Sequence, residues 1–321
     1  MFGSNSPIAI AAYQVLRFLN PSESYCLVYL MGGMVFAVAV MLWRRRGRRT
    51  LKPEPMLRLL GSRKLWLHDS TKLDLKLYLF HGVLIMVAYG LFQGSSELWR
   101  TGAGSLLSAA LGPSPQIAAP RLLVGAVTTL GQVLALEFGY WVLHYAFHKV
   151  PALWELHKVH HSAEVMTPLT EWRQHPIEFV AFGNVLTLAT GGAYGVFAWL
   201  FGPGTQPFTL FQVNILLVLH FATFHHLRHS GVWIAARGWL GRLVHSPAHH
   251  QIHHSTDPRH FDSNLGYALS VWDWAFGTLV IPERRARVKL GVEGEPPYRG
   301  LLDTLVRPMA AGARTLIPRS T

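Results

Sequence analysis

Histidines repeated three and four residues apart constrain this chain more than any other feature. Between His144 and His161 it reads HYAFHKVPALWELHKVHH, an H-x-x-x-H pair (His144, His148) followed by H-x-x-H-H (His157, His160, His161). The second pattern recurs at His250, His253 and His254. Residues three or four apart share one face of a helix, so each motif aims two or three imidazoles at one point. Neutral imidazole is the commonest side-chain metal ligand. Eight histidines presented this way point to more than one metal ion.

The rest of the chain reads as membrane protein. Half of its 321 residues are hydrophobic and 14% are charged, against about 25% in a soluble domain. The formal charge of +12 is concentrated, with Arg44, Arg45, Arg46, Arg48, Arg49 and Lys52 directly after an apolar run. Beside such a run a basic cluster reads as a cytoplasmic anchor and not as a nucleic-acid surface. Apolar runs at about 26–43, 75–92, 122–143, 179–200 and 208–224 are expected to cross the bilayer. Residues 8–19 are too short to span and read as interfacial. Residues 52–75 read as a basic cytoplasmic connector and 93–120, rich in Gly, Ser, Ala and Pro, as an outside loop or shallow re-entrant piece. The turn Gly202, Pro203, Gly204 makes a hairpin of the last two runs. Alternating crossings from the first span place both H-x-x-H-H motifs and His229 on the cytoplasmic side.

The expected fold is therefore all-α: a multi-span transmembrane helical bundle with a histidine-rich helical cap on its cytoplasmic side. Residues 1–120 read as an N-terminal membrane region with its basic connector, 121–282 as the catalytic region, and 283–321 as a basic peripheral tail. The single Cys26 excludes a disulfide or thiolate cluster within the chain. The N-terminus lacks the order of a signal peptide. With no permitted N-x-[ST] sequon and no retrieval signal, a bacterial inner membrane is expected over the endoplasmic reticulum.

By context, ten of the eighteen histidines form a ligand set: His144, His148, His157, His160, His161, His175, His229, His250, His253 and His254. Metals take four to six ligands each, so ten imidazoles suit two ions. Imidazole alone leaves zinc, copper, iron and nickel open. His68, His81 and His220 read as core or interface residues, whereas His225, His226, His245, His249 and His260 stay open between ligand, supporting and surface roles. A metal transporter or sensor is the alternative reading, and it needs ionisable residues lining the spans. Glu137 and His220 are its main candidates, and the clustering of histidines at one rim favours a site over a path.

The pattern resembles the membrane-bound fatty acid hydroxylase/sterol desaturase superfamily. The residues that carry the resemblance are His144-x-x-x-His148, WELHKVHHS (154–162), RQHPIE (173–178), RHSG (228–231) and SPAHHQIHHSTDPRHFDSNLG (246–266). Their order and spacing agree from about 135 to 280. The resemblance implies a di-iron centre, ligated by the ten histidines, that uses dioxygen as co-substrate to hydroxylate or desaturate a lipid C–H bond. It implies that zinc can substitute for iron, and that Asp262 and Asn264, in a D-x-N position, orient ligands. Many bacterial relatives have Asn where Gly231 stands. The chain carries no flavin fingerprint, haem-attachment motif or cysteine cluster. A separate electron donor, ferredoxin-like or cytochrome-type with its reductase, is therefore expected, along with a lipid substrate and no nucleic acid. A non-catalytic scaffold of the same family is the remaining alternative.

Overall fold

The computed structural model describes residues 16–45, 62–283 and 288–317, and regular structure among them is almost wholly helical. The principal helices are α1 (Leu27–Arg45), α2 (Asp69–Leu84), α3 (Ser96–Leu111), α4 (Arg121–Lys149), α5 (Pro151–His161), α6 (Pro176–Phe201), α7 (Ile215–His220), α8 (Pro247–His253), α9 (Val271–Phe276) and α10 (Leu301–Thr315). Two of them, α4 and α6, are long and apolar enough to cross a membrane, while Leu27–Trp43 within α1 is apolar but shorter. The segments 1–15 and 46–61, with most of the basic cluster, lie outside the described residues.

Helices α4 and α6 pack antiparallel. Gly131 of α4 faces Phe197 of α6, Gly139 faces Val185, and the rings of Phe147 and Phe182 stack at 5.7 Å. The C-terminal end of α4 and the N-terminal end of α6 thus lie at one end of the pair. The chain turns sharply there because Pro151 opens α5. The preceding Val150 adopts extended backbone (φ −91°, ψ 115°), as a residue before proline must. His148 and His157 are thereby folded back toward one another. Helix α6 starts with His175 as N-cap, Pro176 in the first position and Glu178 in the first turn, three signals that agree.

Two expectations change. Residues 93–120, read as an outside loop or a shallow re-entrant piece, contain the helix α3, opened by the Ser95 side chain capping Leu98 N. It packs closely on α6, whose glycines admit it, since a Cβ on Gly191 or Gly195 would lie 2.2 Å from Ser96 O or 2.4 Å from Arg100 O. The run 208–224, read as one helix, is broken. Thr209–Leu210 (β1) and Val213–Asn214 (β2) pair as a small antiparallel hairpin turned by Phe211 and Gln212 at φ 54° and 64°. Only then does Asn214 cap α7, which passes into a π-helical turn at Phe221–His225.

Candidate di-metal centre

Nine of the ten expected ligands converge into two adjoining clusters: His144, His148, His157, His161 and His253 in one, and His160, His229, His250 and His254 in the other. Within each cluster one nitrogen per ring lies within 4.8 Å of the others. The H-x-x-H-H motifs are shared out. The i, i+4 pair of α5 (His157, His161) enters the first cluster and its His160 the second; in α8 the i, i+4 pair (His250, His254) enters the second and His253 the first. A helix displaces residue i+3 around its axis from the line joining i and i+4, so each motif reaches two neighbouring points. The rings of His161 and His254 stack at 4.5 Å where the clusters meet.

The tautomers follow from the outer nitrogens. Nδ1 of His144 donates to Leu265 O (2.8 Å), that of His157 to Glu178 (2.7 Å), and that of His253 to Ser263 O (2.8 Å). Nδ1 of His148 faces Asp262 (3.3 Å) and that of His229 faces Glu171 (3.0 Å). With Nδ1 protonated, each Nε2 carries a lone pair. Two of these lone pairs point at one another, with His144 and His157 Nε2 3.1 Å apart, and in the second cluster His250 Nε2 lies 2.8 Å from His229 Nε2. The buried Nε2 atoms of His148 and His253 have no hydrogen-bond partner among the described residues. Converging, unpaired acceptors are unfavourable unless a cation lies among them, so the donor set fits two metal ions. Protonation offers no relief. Burial, followed by neighbouring imidazoles, pushes His157, His160, His161, His250, His253 and His254 well below the usual histidine range.

Glu171 is the hub of the second cluster. Arg228 Nη2 lies 2.8 Å from both of its oxygens, and the Arg228 guanidinium rests 4.4 Å over the Tyr267 ring. Burial alone would raise the Glu171 carboxyl, but Arg228, His225 and His229 together hold it well below the usual carboxylate range. The first cluster is braced by a loop. Asp262 and Asn264 adopt left-handed backbone (φ 56° and 55°), which Asp and Asn tolerate better than most residues. The D-x-N turn so formed presents Ser263 O to His253 and Leu265 O to His144. Asn264 also ties His249 O to Val280. Two buried carboxylates fasten this loop to α4: Asp273 accepts from Leu265 N, Gly266 N and Trp141 Nε1, and Glu137 accepts from Tyr267 N and Ala268 N. Glu137 thus has backbone partners and does not line a path.

His175 stands apart from both clusters. Its Nδ1 accepts from Ile177 N as a helix cap and its Nε2 donates to Leu305 O (3.1 Å). His81 is bonded at both nitrogens, to Tyr89 Oη and Gln174 O, and His68 caps α2. His249 bonds Ser246 in a capping box, and His225 meets Tyr267 Oη at 3.1 Å. His220, His226 and His245 are buried outside the clusters, and His260 lies in the Pro258–His260 turn. Arg173 pins the end of α5, donating to Val159 O, Ser162 Oγ and Asp74.

Two spaces adjoin the centre. A cleft of about 520 Å³ opens onto the first cluster, bounded by His148, His161, His253 and Asp262 and crossed by Gly291–Glu293. An apolar cavity of about 380 Å³ runs from Leu27, Leu30 and Met34 of α1 to Leu227, Ser230 and Gly231, which flank His229.

Comparison with known proteins covers the stretch that carries both clusters. Residues 129–278 match the fatty acid hydroxylase family model. This part of the chain is similar to fatty acid hydroxylase domains. Relatives of this domain include an alkylglycerol monooxygenase of Xenopus tropicalis, 30% identical over 47% of this chain and 30% of its own length. An ornithine lipid hydroxylase of Rhizobium tropici is 28% identical over 58% of this chain and 51% of its own. Human cholesterol 25-hydroxylase is 29% identical over 50% and 54%. The chain thus spans between 30% and 54% of these relatives' lengths. No solved structure matches.

Proposed function

We propose that the chain is a membrane-embedded di-iron oxygenase that hydroxylates, or in a related outcome desaturates, a lipid C–H bond. The observation that carries this reading is the convergence of nine imidazoles into two adjoining clusters, with the Nε2 lone pairs of His144 and His157 facing each other. The five-histidine cluster would hold one ion and the four-histidine cluster the other, with residues 121–282 as the catalytic unit. Bound iron would supply dioxygen activation. Glu178, Asp262, Ser263 O and Leu265 O hold the first set of rings in the ligating tautomer, and Glu171 with Arg228 does so for His229. The apolar cavity lined by Leu227, Ser230 and Gly231, next to His229 in the chain, suits an alkyl chain.

The relatives named above act on an alkylglycerol, an ornithine lipid and cholesterol, which supports a lipid substrate without choosing among them. Electrons come from a separate donor, ferredoxin-like or cytochrome-type. The bundle crosses the membrane at α4 and α6 with the metal centre on the cytoplasmic side, and a bacterial inner membrane is the proposed location. The test is metal analysis of the purified full chain together with lipid profiles of cells with and without it under oxygen. The expected result is two irons per chain, one for each cluster, and one lipid class that gains an oxygen or loses two hydrogens. A single zinc, no iron and unchanged lipids would overturn the reading.

A further inference from the structure

Helix α10 shows three faces. Thr304, Pro308 and Gly312 are buried against the protein, and a Cβ on Gly312 would meet Ala152 O of α5 at 3.0 Å. Roughly a third of a turn away, Leu302, Val306, Met309, Leu316 and the neighbouring Ile317 form a stripe that is 51–75% exposed. No described residue covers it. The third face carries Asp303, Arg307 and Arg314, of which Arg307 pairs with Asp303 at 2.9 Å, leaving the face net basic. The apolar and basic faces thus flank the packing face on opposite sides.

The placement of the helix gives these faces a direction. Leu305 O accepts from His175, one residue before α6 begins, and Gly312 abuts Ala152, three residues after α4 ends. Because α4 and α6 are antiparallel, those two points lie at the same end of the pair. Seven helical residues, about 10 Å, bridge them. Helix α10 therefore runs across the line where the two long apolar helices finish. On the reading that α4 and α6 span the membrane, that line is the lipid–water boundary.

We infer that α10 is an interfacial membrane helix, its apolar stripe sunk into the acyl boundary and its exposed Arg314 set among anionic headgroups, while Arg307 is held by Asp303, Pro296 O and the Tyr298 ring. The chemistry of both faces matches such a surface: an apolar strip for the acyl region and a net basic strip for phosphates. Its buried face then braces α5, the helix that carries His157, His160 and His161, against the bilayer plane.

The inference rests on the spanning reading, and the test separates the two. Nitroxide labels are placed singly on the full chain at Val306→Cys, Met309→Cys, Arg314→Cys and, on the exposed side of α4, Leu130→Cys. The variants are reconstituted in phosphatidylglycerol-containing vesicles. The native Cys26 is 1% exposed, so the labels are carried both with it retained and in a Cys26→Ala background. The ratio of oxygen to water-soluble nickel-complex accessibility is read by power saturation. The expected result is a ratio about tenfold higher at Val306 and Met309 than at Arg314, at a depth of about 5–10 Å. In phosphatidylcholine alone that contrast falls. Nickel access at Val306 and Met309 with Leu130 in lipid overturns the interfacial helix and leaves the spanning reading standing. Leu130 in water overturns the spanning reading and this inference with it. Spin–spin broadening at Val306 assigns the stripe to a second copy of the chain and also overturns the lipid assignment.

Discussion

The five-histidine cluster is held at its outer nitrogens by four different acceptors, two backbone carbonyls and two carboxylates. In the four-histidine cluster Glu171 has that role at His229, whereas His250 Nδ1 is buried with no partner among the described residues. The first cluster is set by the main chain of a loop locked to α4. The second depends on one ion pair between the half-buried Glu171 and the fully buried Arg228. Two sites built from the same helices thus differ in how far the fold fixes them before metal arrives. The second is expected to give up its ion first to a chelator.

The largest effects should come from breaking one cluster at a time. His253→Ala and His254→Ala are each expected to lower bound iron from two to about one per chain, and to take product below detection, since both ions serve one reaction. Metal analysis of the two variants checks this, and loss of both ions from either variant would show that the clusters load together. Next come the carboxylates. Glu178→Gln should weaken metal at the first cluster by roughly 10-fold and Glu171→Gln at the second by roughly 100-fold, measured by chelator competition. Glu171→Ala should also cost about 3–5 kcal/mol of stability by stranding Arg228 in the interior, visible in thermal unfolding. Equal losses at Glu171 and Glu178 would erase the contrast drawn above.

A third effect is acid sensitivity near the second cluster. Burial holds His226 down from 6.5 to about 4. The unfolded chain therefore takes up this proton first, and the stability present above pH 6.5 is lost as pH falls from there toward 4. Unfolding followed against pH should lose that part of its slope in His226→Phe. The smallest effect is at His175. His175→Ala should keep both ions and lose about 1 kcal/mol as the cap of α6; a fall in iron would restore His175 to the ligand set.

The histidine spacing made the convergence of imidazoles legible, since i, i+3 and i+4 positions face one way on any helix. The division of each motif between two clusters was not legible, because it depends on how α5 and α8 are rotated against each other. The roles of Glu171 and Glu178 were hidden for a similar reason: both stood near the motifs, but nothing local says which imidazole a carboxylate will meet. Asp262 and Asn264 were marked by position alone. Their left-handed backbone explains the pattern, because the carbonyls bonded to His253 and His144 belong to Ser263 and Leu265, whose side chains have no part in those bonds. The run 208–224 misled because apolar content was weighed above the turn at Phe211 and Gln212.

The unequal sharing of the two H-x-x-H-H motifs also sets an order in time. A chain synthesised only as far as residue 249 already carries four of the five histidines of the first cluster, but only His160 and His229 of the second. The Glu178 carboxylate is made by then too, whereas the Ser263 and Leu265 carbonyls are not. Most of the first cluster's rings thus precede α8 in the chain, while three of the four acceptors that hold them, Asp262, Ser263 O and Leu265 O, follow it, so ligands come before the loop that fixes them.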